Sequence, residues 1–159
     1  MTEFQITVIK WQAVILQVYQ GDFCPCVAGA FNGVGERLAG SDCPVLSAAI
    51  VATGFGYAAE RRRRQAEVVT GLITQVSDVR RMGAAVVDFC WLARGRVDAY
   101  FEAGLNPWDM AAGGLIAAEA GVVVSGLRDD DTDEFFVAAA PAISADLRSA
   151  LGQLRADEV

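Results

Sequence analysis

The chain contains no histidine. That absence removes imidazole acid–base catalysis, Ser-His-Asp triads, Cys-His nucleophile pairs and histidine-ligated zinc together. Chemistry must rest on carboxylates, hydroxyls, thiols, Lys10 or the arginines, and a hard, oxygen-liganded metal is the natural companion of that inventory. Positive charge is also short: 13 Lys and Arg against 20 Asp and Glu give a formal net charge of −7. General binding to nucleic acid or to an anionic membrane needs a net basic face, so neither partner is expected. Long apolar runs are missing, because Gly, Arg or Asp interrupts each of them, and no segment reads as membrane-spanning. Met1-Thr2-Glu3 lacks a basic region ahead of an apolar run, so the expectation is no secretory signal and a cytoplasmic location. Cys24, Cys26, Cys43 and Cys90 have no framework spacing and are expected as reduced thiols. There is no internal repeat and no low-complexity segment.

What is present describes one globular domain. The chain has 159 residues, 53% of them hydrophobic and 21% charged, enough for a real core. Residues 4–19 are apolar with partial alternation and read as one or two strands. Glycines and prolines punctuate 21–47, which reads as irregular. Regular rhythm follows. Strands are predicted at 48–53, 78–81, 97–102, 122–125 and 135–139. Helices are predicted at 60–75, with Ala66, Val69, Leu72 and Ile73 on one face, and at 84–93, 108–120 and 144–154. Gly121 is the expected stop of the third helix and Ser144 the expected N-cap of the fourth, with a frayed tail over 155–159. Strand–helix alternation from residue 48 onward predicts an α/β fold, a layered sheet with flanking helices.

Several constellations could carry chemistry. Glu102 ends a predicted strand, and Asp109 falls in the first turn of the helix that Pro107 helps to start. Strand ends and helix starts joined by a short turn are where α/β proteins hold small charged ligands. By spacing alone, a first-turn carboxylate is more often a cap or dipole partner, and a strand-end carboxylate is more often solvated. Gly83, Ala84 and Ala85 open a helix after a strand. There, small residues serve either backbone approach to an anion or hydroxyl, or tight helix–sheet packing. The run Arg61-Arg62-Arg63-Arg64 reads as a solvated first helical turn rather than a phosphate patch. The acidic stretch from Asp129 to Glu134 imitates the start of an EF-hand loop. It has Glu134 where that loop needs Gly and Ala140 where it needs Glu, so it reads as a solvated turn. Cys24-Pro25-Cys26 has the wrong spacing for zinc, and Trp11 and Trp91 read as core or interface residues.

Gly29-Ala30-Phe31-Asn32-Gly33, residues 51–57, residues 80–102 and the stretch Gly104-Leu105-Asn106-Pro107-Trp108-Asp109-Met110-Ala111-Ala112-Gly113-Gly114, continuing to Gly121, resemble the C-terminal half of the inositol monophosphatase family of Mg²⁺-dependent phosphatases. The resemblance runs from about residue 29 to 151. It sets out a poorly matching, strand-like segment over 1–28, a family-like region over 29–155 and a tail over 156–159. It implies the C-terminal half of the sugar-phosphatase fold and a phosphomonoesterase acting on inositol monophosphate or a similar polyol phosphate. It also implies Mg²⁺ as cofactor and a homodimer. In the family, the Asp after Trp ligates Mg²⁺ and the Glu before the turn bonds a substrate hydroxyl; Asp109 and Glu102 stand at those positions. The 83–85 segment would line the substrate.

The family's Asp-Pro-Leu/Ile-Asp-Gly-Thr metal segment, its upstream Glu and its N-terminal helical pair have no counterpart in this sequence. No catalytic residue is therefore assigned, and Asp109 is the only carried-over metal ligand. The expectation is a truncated, inactive chain that keeps the substrate-recognition half. The alternative is a non-catalytic binding or dimerising pseudoenzyme. A nucleotide or bisphosphorylated sugar is a further substrate reading.

Overall fold

The computed structural model describes residues 29–128 and 134–159 in full, and the backbone of residues 6–11 and 14–19. Cys24-Pro25-Cys26, most of the acidic loop and the side chains of Lys10 and Trp11 lie outside the described residues. Near the N-terminus, β1 (Ile6–Trp11), β2 (Val14–Tyr19) and β3 (Gly29–Phe31) form an antiparallel three-stranded sheet in that order. The third strand falls within the stretch read as irregular.

The larger sheet has five strands. They are β4 (Ile50–Thr53), β5 (Asp78–Arg80), β6 (Ala99–Ala103), β7 (Val123–Ser125) and β8 (Phe135–Ala139), ordered β5-β4-β6-β8-β7. The three strands β5, β4 and β6 run parallel, while β8 is antiparallel to both β6 and β7. Among the described residues four α-helices cover the sheet: α1 (Ala59–Leu72), α2 (Ala85–Ala93), α3 (Pro107–Glu119) and α4 (Ser144–Gln153). The layered α/β architecture is the one the alternation predicts.

Strand side chains alternate between two cores. Val51, Phe101, Phe135 and Val137 face α1 and α4 and meet Val68, Leu72, Leu147 and Leu151. Ala52, Tyr100, Phe136 and Ala138 face α2 and α3 and meet Phe89, Leu92, Met110 and Ala117. Burial on both faces explains why β8 is apolar at every position. Asp98 pins the start of β4: its carboxylate accepts the Ile50 N–H at 2.6 Å and the Ser41 hydroxyl. Among the described residues no helix is long and apolar enough to cross a membrane.

Local chemistry sets the helix ends, and three expectations need correction. Gly121 stops α3 as expected, with Gly121 N–H bonded to Ala118 and Val122 N–H to Ala117, a Schellman arrangement. The N-cap of α4 is Ile143 rather than Ser144. Ile143 is fully buried, which draws the turn inward, and its carbonyl accepts the Leu147 N–H. The tail is not frayed: Ala156 is fully buried in the first core and Asp157 pairs with Arg128. The buried face of α1 is Gln65, Val68 and Leu72, one residue offset from the predicted stripe. Gln65 is drawn in because its Oε1 accepts the Gly56 N–H at 2.9 Å. Cys43 and Cys90 carry no disulfide, and burial raises the pKa of the Cys90 thiol. Trp91 packs at the edge of the second core with Arg96 5.8 Å above its ring.

Helices α2 and α3 approach closely where Gly113 meets Phe89, and a Cβ on Gly113 would overlap the phenyl ring. Phe89 itself is fully buried and packs edge-on against Tyr100 and Phe136, with centroids 5.1 and 4.9 Å away. Gly113→Ala is expected to destabilise the fold by ~1–3 kcal/mol through overpacking. Gly152, in α4, has open space around its Cβ position. There Gly152→Ala is expected to be neutral or to stabilise by up to ~1 kcal/mol. Thermal unfolding followed by circular dichroism reads both; equal effects would contradict the packing described.

Candidate active site

Strands β4 and β6 are parallel, so their C-terminal ends emerge on the same side. Thr53 ties them together there, donating from Oγ1 to the Phe101 carbonyl at 2.8 Å. Beyond these ends lies an open cleft of ≈ 430 Å³, and Gly83, Ala84, Ala85, Glu102 and Asp109 all line it.

Glu102 stands at the end of β6, half-buried. The Tyr100 hydroxyl donates to its Oε2. A Cβ on Gly54 would overlap the Glu102 carboxylate, so the 54–57 turn packs its bare backbone against the acid. Burial raises the Glu102 pKa. The Tyr100 hydrogen bond and the Arg81 charge oppose that rise, Asp109 adds to it, and Arg61 opposes it. The Tyr100 phenol is pushed strongly upward, first by burial and then by the Glu102 charge, and stays protonated as the donor.

Gly104 has φ +66 and turns the chain immediately after β6, its N–H held by the Glu134 carbonyl at 2.9 Å. A left-handed residue there is cheap only for glycine. Asn106 is the N-cap of α3 and Pro107 its first residue. Asp109 Oδ2 accepts from the Asn106 backbone N–H and from its side-chain amide, both at 3.3 Å. Asp109 is therefore a helix cap, as its spacing suggests, with Oδ1 left over.

Gly83 has φ +93 and brings the chain into α2, whose N-cap is Ala84. The first N–H groups of a helix have no intrahelical acceptor and sit at the positive end of its dipole, so this turn can receive an anion or a hydroxyl oxygen.

Three charged groups of the cleft go unassigned in the sequence reading. Arg61 is a correction, because it is half-buried and lines the cleft instead of projecting with the solvated turn. Its signal is position: it lies four residues before buried Gln65, on the inward face of α1. Arg62, Arg63 and Arg64 do form the outer turn expected of the run. Arg81 lines the cleft beside Gly83. Asp88, in the first turn of α2, is 2% exposed and its Oδ1 has no hydrogen-bond partner. Burial and the nearby Glu102 charge push the Asp88 pKa up to about 7, against the Met82 N–H and the Arg81 charge. A polar residue inside an apolar helix is the only sequence signal for Asp88.

A mixed α/β layer whose cleft opens beyond the ends of its parallel strands, rimmed by two carboxylates and a helix start, has the layout in which α/β proteins hold small ligands. The sequence profile described as "Inositol monophosphatase family" matches residues 12–157, so the chain belongs to that family. The inositol-1-monophosphatase SuhB of Mycobacterium tuberculosis is 49% identical over 108 residues, covering 67% of this chain and 37% of that protein. The Nus factor SuhB of Escherichia coli is 45% identical over 92 residues, covering 57% and 34%. A solved structure of Mycobacterium tuberculosis SuhB superimposes with a TM-score of 0.76 at 39% identity, covering 89% of this chain and 55% of that one. An inositol monophosphatase from Anabaena gives 0.74 at 28% identity, covering 88% and 57%. The chain thus spans between a third and three fifths of the length of these four relatives, and the profile match begins upstream of residue 29.

A carboxyl whose folded pKa is raised from 3.8 to about 7 holds its proton in the folded state over the range where the unfolded chain has lost it. Stability from Asp88 is therefore full below the unfolded pKa and declines as pH rises toward about 7. Asp88→Asn keeps an acceptor for the Met82 N–H and is expected to flatten that decline. Urea unfolding at pH 4.5, 6 and 7.5 reads the difference; parallel pH profiles would contradict it.

Proposed function

We propose that this chain recognises a small phosphorylated polyol of the inositol monophosphate type in the cleft, and that it does not hydrolyse it unaided. The observation that carries the reading is the grouping of Glu102, Asp109 and the 83–85 turn around one opening. With Tyr100 bonded to Oε2, Glu102 offers Oε1 as acceptor for a ring hydroxyl. The start of α2 supplies backbone N–H groups to a hydroxyl or phosphate oxygen. Oδ1 of Asp109 is the natural single ligand to a cation.

Magnesium requires near-octahedral oxygen coordination, and a hydrolytic centre draws on several converging carboxylates. Among the described residues no group of three or more His, Cys, Asp or Glu gathers closely enough to hold a metal ion. Asp109 is moreover committed to its helix cap through Oδ2. The residues present do not fit a magnesium centre, and no hydrolytic step is derived from them. Carboxylates from outside the described residues would have to complete it.

A binding or dimerising role without turnover is the second reading. It is favoured by two aromatic side chains left in solvent, Tyr57 at 101% and Trp108 at 75% exposure. It is consistent with relatives named for a Nus factor rather than an enzyme. The homodimer that the family resemblance implies belongs to this proposal, and sedimentation equilibrium tests it.

Calorimetry with inositol 1-phosphate is expected to show binding that Glu102→Gln weakens about tenfold, the loss of one charge-assisted hydrogen bond. Phosphate release from the same ligand with millimolar-range Mg²⁺ is expected to be negligible. No binding, or binding indifferent to Glu102→Gln, would contradict the recognition role. Turnover that vanishes in Asp109→Asn would contradict the incompleteness of the centre.

A further inference from the structure

Arg61 differs from its three neighbours in the arginine run. Arg62 donates to the carbonyls of Gly56 and Tyr57, Arg63 bridges Glu60 and Glu67, and Arg64 pairs with Glu67. Arg61 has no hydrogen bond and no ion pair among the described residues. Two glycines clear its path into the cleft. A Cβ on Gly56 would stand 2.6 Å from Cδ of Arg61, and one on Gly104 would stand 2.5 Å from Nη2 and 3.0 Å from Nη1. The guanidinium is thus laid against the turn that follows Glu102. Its Nε is shielded from solvent and meets no acceptor, a condition native structures rarely leave unanswered.

A second guanidinium faces the same space. Arg81 lines the cleft from the end of β5, with Nη1 3.6 Å from the Cβ position of Gly83. Both cations act on Glu102, and neither forms an ion pair with it. Glu102 takes its hydrogen bond from Tyr100 instead. Among the described residues, two planar forks of donors therefore stand in one cleft without an ion pair. A guanidinium matches phosphate oxygens in pairs, which gives it orientation as well as charge.

We propose that Arg61 and Arg81 form a second anion subsite in this cleft, and that the preferred ligand is a polyol bisphosphate. Its ring is held by Glu102 and the 83–85 turn, and its second phosphate by the two arginines. The inference rests on the recognition reading given above and names its substrate class more narrowly.

The test is calorimetry of the intact 159-residue chain with inositol, inositol 1-phosphate and inositol 1,4-bisphosphate at fixed ionic strength. The wild type is expected to bind the bisphosphate about tenfold more tightly than the monophosphate, one added charge-assisted contact. Arg61→Gln is expected to abolish that preference. Arg61→Lys keeps the charge without the fork and is expected to retain part of the preference. Arg63→Gln removes the same charge from the outer face of α1 and is expected to leave the preference intact; circular dichroism melts confirm that each variant is folded. The proposal is overturned if the wild type shows no preference, if Arg61→Gln and Arg63→Gln act alike, or if Arg61→Gln weakens both phosphates equally. Monophosphate binding that Glu102→Gln weakens, without any bisphosphate preference, overturns the second subsite alone. No monophosphate binding, or binding that ignores Glu102→Gln, overturns the recognition reading together with it.

Discussion

The parallel pairing of β4 and β6 is the constraint on which the cleft depends. It brings two chain turns, one after Thr53 and one after Ala103, to the same end of the sheet. Thr53 fastens that end through the Phe101 carbonyl. The first turn then packs a bare glycine backbone onto Glu102, while the second hands the chain to α3 and places Asp109 one helical turn further on. Pairing of β5 with β4 brings Arg81 and the start of α2 to the same opening. A shift in that register would separate all of these groups at once.

Much of this arrangement is legible in the amino-acid sequence, and the exceptions share a cause. Strand–helix alternation, the Schellman stop at Gly121 and the Asn106-Pro107 start are local signals, and they read correctly. What fails locally is whatever tertiary contact decides. Gln65 looks like a surface residue and is buried because Gly56 needs an acceptor. Arg61 looks like one of four solvated cations and is turned inward because Gly56 and Gly104 leave room for it. The tail looks unanchored and is held because Ala156 fits the core shared by α1 and α4. Glu102 and Asp109 are a different case: their spacing alone points to a cap and a solvated acid, and one of these is the truth for Asp109, which does cap its helix. Resemblance to the family, not spacing, singles out the pair.

The charged groups of the cleft suit the recognition role proposed for it. Its charged groups are graded by burial, from Asp88 inside the second helix, through half-buried Glu102 and Arg61, to exposed Arg81. Such a set can orient a polar ring by hydrogen bonds and hold anionic substituents. Among the described residues it does not gather the oxygens that a dication needs. Membership of the inositol monophosphatase family and the lack of a gathered metal centre among the described residues are thus compatible, because this chain aligns with only part of its relatives' length.

The most direct test of recognition in this cleft is a map of backbone amide shifts on titration with inositol 1-phosphate. The account predicts that the shifted amides cluster at 54–57, 83–86 and 102–109, the segments that surround Glu102. Shifts spread over the outer face of α1 around Arg63 and Arg64, with none at 83–86 or 102–109, would show that the phosphate binds by surface charge and would contradict it.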